Sequence, residues 1–259
     1  MFQYQNIKFD YEPYPIGVAR PVFDPATYRA MVESFPPIEL FEYKSDKGEK
    51  YSLSQVNNAG KYRKYVESSP PWKAFHNYIR SGAFISSAVE MLKKNGFDLG
   101  LPIPGFAERL YLKARAIKRG NPVPHFPSLK SRFEFSAMPI AGGNILPHTD
   151  HPKKLITMVV PMLHEGEWNE AWGGGTSVVW PHDKTKIFNR MNHYLDFEQV
   201  ERRNTFPFEP NQCLVFIKTN NSWHAVLPMT GSDPKILRDR KSTRLNSSHI
   251  QKSRMPSSA

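Results

Sequence analysis

The chain has 259 residues, 13% of them aromatic, which suits one folded unit with a sizeable apolar core. Its single cysteine, Cys213, excludes an internal disulfide, and no apolar run reaches the roughly 18 residues that a membrane helix needs. A net charge of +11 and a pI near 9.6 raise nucleic acid as a partner, but no predicted helix concentrates Lys or Arg with aromatic residues, so that class is set aside.

The opening Met1-Phe-Gln-Tyr-Gln lacks a signal-peptide pattern, and the apolar setting of Cys213 reads as a buried thiol. The expectation is a cytoplasmic protein with neither a membrane nor a nucleic-acid partner; its oligomeric state is not legible. Residues 1–125 read as a helical and mixed cover. Asp24-Pro25 caps and starts a helix through Phe35, because Asp accepts an orphan amide and Pro is tolerated at the first helical position; Pro36-Pro37 stops it. Ser69-Pro70 starts a second helix around Trp72, Phe75, Tyr78 and Ile79. Ser81 starts a third, with Phe84, Ile85, Ala88, Val89 and Leu92 at helical spacing, and Asn95-Gly96 ends it. The basic stretch Lys113 to Arg119 reads as a solvated loop, an acidic or phosphorylated ligand being the sharper alternative.

Residues 126–238 change character to β. Ser131–Met138 alternates polar with apolar residues, Gly142-Gly143-Asn144 makes a turn, and His148-Thr149-Asp150 follows. Residues two apart on a strand share a face, so His148 and Asp150 converge on one point while Thr149 faces away. Leu155–Leu163 reads as a buried strand. Gly173–Trp180 reads as a glycine-led strand rather than a phosphate loop, since the lysine and following helix of such a loop are lacking. Gln212–Ile217 is another strand, and Asn221–Val226 carries His224 onto one more. Two histidines and one carboxylate leave three octahedral positions open, the arrangement of non-haem Fe(II) sites, whereas zinc prefers a closed tetrahedron or one open position. The bland alternative is a hydrogen-bonded His148–Asp150 pair with His224 as a core histidine beside Trp223. His151 points to the wrong face, and His125, His164, His182 and His193 sit unpaired in loop-like surroundings.

On the HxD motif, the distal His224 and the strands around them, the segment Ser131–Arg238 resembles the 2-oxoglutarate and Fe(II)-dependent dioxygenases, especially their prolyl-4-hydroxylase-like branch. The resemblance implies a mainly β, helix-covered (α+β) fold with a double-stranded β-helix, or jelly-roll, core over residues 126–238. It implies His148, Asp150 and His224 as the catalytic iron ligands, with Arg238 binding the far carboxylate of 2-oxoglutarate. It also implies O2 as co-substrate, ascorbate as an optional addition, and hydroxylation of a small molecule or peptide with release of succinate and CO2. Asp150 argues against a halogenase, which needs that ligand position vacated. The turn formers of Pro228–Pro234 predict a hairpin centred on Gly231 that sets His224 opposite Arg238. An arginine suits the clamp because its planar fork makes two charge-assisted bonds to one carboxylate. Family members often carry a hydroxyl residue two positions after the arginine, where this chain has Arg240. The competing function is a non-catalytic, cupin-like β-barrel holding a structural or sensory metal, which would not need Arg238.

Residues 239–259 resemble a translated sequencing adapter and are set apart from the fold as a non-native tail. Without them the balance is 30 basic against 23 acidic residues, a net charge of +7. This reading implies a C-terminally truncated core in which the strand carrying Arg238 is unfinished, its edge bare, and stability or activity impaired.

Overall fold

The computed structural model describes residues 1–45, 48–99, 106–118 and 129–248. The chain enters through two short strands, β1 (Lys8–Asp10) and β2 (Ile16–Ala19), and turns into helix α1 (Pro25–Glu33). Asp24 caps α1 as its side chain predicts, its Oδ1 accepting from the Thr27 amide at 2.9 Å. Strands β3 (Glu42–Lys44) and β4 (Lys50–Ser54) pair antiparallel. Helices α2 (Ala59–Ser68), α3 (Pro70–Ile79), α4 (Gly82–Lys94) and α5 (Phe106–Lys118) follow. Ser81 caps α4 by accepting from the Phe84 amide at 3.2 Å. Helix α2 has no counterpart in the sequence reading, because it lacks a side-chain cap and buries only Tyr62 and Val66. The loop expected from Lys113 is the last turns of α5 instead; Arg119 and His125 lie outside the described residues.

The second half is β: β5 (Lys130–Pro139), β6 (Ile145–His148), β7 (Ile156–Val160), β8 (Thr176–Pro181), β9 (Val200–Phe206), β10 (Cys213–Ile217), β11 (His224–Val226) and β12 (Leu237–Ser248). These strands and the four N-terminal ones form two sheets. The larger has the order β1-β2-β10-β7-β12-β5-β4-β3 and the smaller β6-β11-β8-β9, with every pairing of named strands antiparallel. The N-terminal region is thus more than a helical cover, since it extends the large sheet at both ends. The expected boundary at residue 125 falls outside the described residues.

Both faces of the large sheet are covered, which is why its central strands read as continuous apolar runs. Ile156, Met158 and Val160 of β7 and Cys213, Val215 and Ile217 of β10 face the helices, joining Trp72, Phe75, Phe133 and Phe135 in the main core. Their alternates Val159, Leu214 and Phe216 face the small sheet, packing with Val178, Tyr14 and Ile16. Trp72 and Phe135 meet edge to face at 4.6 Å, a contact that stabilises aromatic pairs by roughly 0.5–1.5 kcal/mol beyond area burial. Strand β9 escapes the sequence reading because it is a charged edge, exposed along Glu201–Thr205, with no alternation to find.

The backbone of residues 239–248 continues β12, pairing with β5 on one side and β7 on the other after a register shift between Arg238 and Ser242. The bare edge expected beyond Arg238 is therefore absent among the described residues. Ladder hydrogen bonds are made by the main chain, so a polar segment of indifferent sequence can complete them.

Candidate metal centre

His148 ends β6, and its register partner across the small sheet is His224 at the start of β11. Their rings lie 4.4 Å apart, so strand pairing alone brings the two imidazoles together. Asp150 arrives differently from the strand alternation expected of it. β6 stops at His148, and Asp150 has a left-handed backbone with φ of 70°, a conformation Asp tolerates because its short side chain bonds locally. The turn is pinned at Thr149, whose hydroxyl donates to the Asn189 carbonyl at 2.9 Å and whose carbonyl accepts from Ser222 Oγ at 3.3 Å. The carboxylate is thereby swung back toward the histidines. Asp150 Oδ1 lies 3.5 Å from His148 Nε2, and Oδ2 lies 3.9 Å from His224 Nε2.

The hydrogen bonds of each histidine select the tautomer a metal requires. Nδ1 of His148 is 2.8 Å from the Leu146 carbonyl and Nδ1 of His224 is 2.9 Å from the Ser222 carbonyl. A carbonyl only accepts, so each Nδ1 carries the proton and each Nε2 keeps its lone pair for the centre. Burial pushes His224 down to about 3, which keeps it neutral. Tyr194 stacks on His148 at 5.2 Å and Phe216 on His224 at 4.6 Å, fixing both ring planes. Burial opposes ionisation of Asp150, but the adjacent Lys154 ammonium outweighs it and holds the carboxyl well below its usual range.

His148, Asp150 and His224 are all buried, with candidate ligand atoms within 4.8 Å of one another. A first-row ion takes imidazole and carboxylate at about 2.0–2.2 Å, which sets neighbouring ligand atoms roughly 3 Å apart. The donor set therefore fits such an ion after a small contraction. The three line a small pocket walled by Ile145, Val159, Thr176, Phe216 and Val226.

Arg238 is buried but does not line this pocket. The predicted hairpin does not form as drawn: β11 lies in the small sheet and β12 in the large one, so the register partner of Arg238 is Met138, not His224. The chain crosses between the two sheets within the turn region instead of folding back beside itself. The Arg238 guanidinium stacks over the Phe208 ring at 4.4 Å, and its Nε donates to the Gly174 carbonyl. Gly174, with φ of 82°, makes this possible, since a Cβ there would stand 2.9 Å from Arg238 Cδ and 2.8 Å from the Trp168 ring. His151 is exposed outside the pocket, and His164, His182 and His193 join no ligand cluster among the described residues.

Two polar side chains at the centre were missed. Lys154 Nζ donates to Asp150 Oδ1 at 2.5 Å and Thr157 Oγ1 to Asp150 Oδ2 at 2.6 Å. The signal for Thr157 was present, as it is the one hydroxyl in the apolar run Leu155–Leu163. Cys213 stays an inert core thiol, pushed up by burial.

No family model and no curated protein matches the chain. Solved structures do. A prolyl-4-hydroxylase from Pseudomonas putida is 11% identical with a TM-score of 0.49, over 91% of this chain and 92% of that one. A prolyl hydroxylase from Trichoplax adhaerens, in complex with a peptide fragment of the oxygen degradation domain of hypoxia inducible factor, is 10% identical with a TM-score of 0.46, over 94% and 87%. The non-heme alpha ketoglutarate dependent epimerase SnoN of nogalamycin biosynthesis is 13% identical with a TM-score of 0.44, over 89% and 76%. At these levels the functional argument rests on the residues of the centre.

Proposed function

We propose that the chain is an Fe(II)- and 2-oxoglutarate-dependent oxygenase, a hydroxylase of an organic substrate, with His148, Asp150 and His224 as its metal ligands and Arg238 as the anchor for 2-oxoglutarate. The observation that carries the reading is the pair of buried Nε2 lone pairs, each secured by an Nδ1–H bond to a carbonyl, facing one ionised carboxylate. Three ligands gathered on one side leave the opposite positions for a chelating co-substrate and O2, which a structural zinc site would not leave. The order β5-β12-β7-β10 facing β6-β11-β8-β9 supports a double-stranded β-helix core, with the two histidine ligands on adjacent strands of the smaller sheet and Asp150 in the turn that follows the first of them.

Iron bound there supplies oxidative decarboxylation of 2-oxoglutarate to succinate and CO2, coupled to hydroxylation of the substrate. The protein's own part is geometry and exclusion of water. Thr157 holds Oδ2 of Asp150 in place, Tyr194 and Phe216 fix the imidazole planes, and Ile145, Val159 and Val226 keep the wall apolar. Arg238 fits the anchoring role by its planar fork and its seat beside the pocket wall: Met138, its register partner, packs with Ile145 and Val226. That Arg238 does not itself line the pocket is the one observation favouring a non-catalytic, cupin-like metal protein.

Succinate release from 2-oxoglutarate in the presence of Fe(II) and O2 tests the choice. The oxygenase reading expects uncoupled turnover that vanishes in Asp150→Ala and persists at a raised KM for 2-oxoglutarate in Arg238→Ala. Turnover indifferent to both substitutions would reject the site assignment.

A further inference from the structure

Lys154 reaches Asp150 from four residues downstream, its Nζ 2.5 Å from Oδ1. The two side chains are only 16% and 8% exposed, so water screens the pair poorly and neither charge has bulk solvent as an easy alternative. Oδ1 is also the carboxylate oxygen that faces His148 Nε2 at 3.5 Å. A divalent ion drawn to the imidazoles and this carboxylate therefore meets an ammonium already seated on the shared ligand. Thr157 is no such obstacle, because a neutral hydroxyl and a cation can share a carboxylate without charge conflict. A second amine stands nearby: Lys218 continues β10, its amide donates to the Leu155 carbonyl at 2.7 Å, and its half-buried Nζ donates to the Thr219 carbonyl at 2.5 Å.

We propose that Lys154 is a built-in competitor for the metal at the His148–Asp150–His224 centre, its ammonium neutralising Asp150 until a divalent ion displaces it, so that Lys154 sets how tightly the ion is held. The inference rests on the metal-binding reading above. Its consequence is a centre that is stable without its ion and loads by exchange of one cation for another.

The test is anaerobic calorimetric titration of Fe(II) into the full chain, wild type against Lys154→Met, with each protein also melted in chelator. Methionine keeps most of the unbranched stem and removes the charge. The expected result is Fe(II) binding at least about tenfold tighter in Lys154→Met. The variant is also expected to melt lower than wild type in chelator, where Asp150 has lost its counter-ion, and to lose that deficit in saturating Fe(II). A double variant, Asp150→Asn with Lys154→Met, removes both charges and is expected to recover the melting temperature in chelator, which tests the ion pair even where the single variant folds poorly. Equal or weaker Fe(II) binding by Lys154→Met, or no recovery in the double variant, would overturn the inference while leaving the metal centre standing. No Fe(II) binding by wild type and Lys154→Met alike would sink the metal reading and the inference together.

Discussion

At Asp150 one residue must satisfy a left-handed backbone, two side-chain donors and two facing imidazoles. Its substitutions therefore mix causes unless chosen with care. Asparagine visits left-handed conformations at least as readily as aspartate, so Asp150→Asn keeps the turn and removes only the charge. The expected outcome is loss of Fe(II) binding by calorimetry with an unchanged far-UV circular dichroism spectrum; retained binding would remove the carboxylate from the ligand set. Thr157→Val is nearly isosteric and deletes the hydrogen bond to Oδ2. Partners of this kind typically cost 10–100-fold in metal affinity when lost, so a drop of at least about tenfold is expected in the same titration. At this scale the sequence was legible in residue type and misleading in geometry. His148, Asp150 and His224 converge, but the carboxylate comes from a turn and not from strand alternation, because a left-handed Asp leaves no mark in a hydropathy pattern.

Among the elements, the clearest link from sequence to site is the glycine entry to β8. Gly174 has a positive φ and lies against Arg238 and Trp168, so its hydrogen is the only substituent the packing admits. Gly174→Ala is expected to destabilise the fold by about 1–3 kcal/mol, the usual cost of a residue held in a disfavoured conformation, visible as a lowered midpoint in chemical denaturation. An unchanged midpoint would mean that Arg238 is not held where the structure has it. Capped helices were readable because Asp24 and Ser81 announce themselves chemically, and the core strands because both faces of the large sheet are covered. Helix α2 and strand β9 were not, one lacking a cap and the other an apolar face. The hairpin around Gly231 failed for a topological reason: turn residues report that the chain reverses, not which sheet it joins next.

For the molecule as a whole, the decisive feature is that β12 lies inside the large sheet, between β5 and β7, and carries Arg238 at its start. Ending the chain after Arg238 would unpair two central strands at once and present two open edges. The expected outcome is loss of a cooperative thermal transition and a rise in light scattering relative to the 259-residue chain; an unaltered melt would show that the paired segment 239–248 contributes nothing to the fold. The jelly-roll expectation came from a resemblance over 131–238, while the N-terminal strands that widen the sheet were invisible beside the stronger helical signals. The central claim, that the buried His-Asp-His cluster holds Fe(II) and presents it to 2-oxoglutarate, is tested most directly by the anaerobic visible absorption spectrum. A charge-transfer band that requires both Fe(II) and 2-oxoglutarate, and that disappears in Asp150→Asn, is the predicted result. A folded chain that binds Fe(II) yet shows no band with 2-oxoglutarate would contradict the oxygenase reading and leave the metal a structural or sensory role.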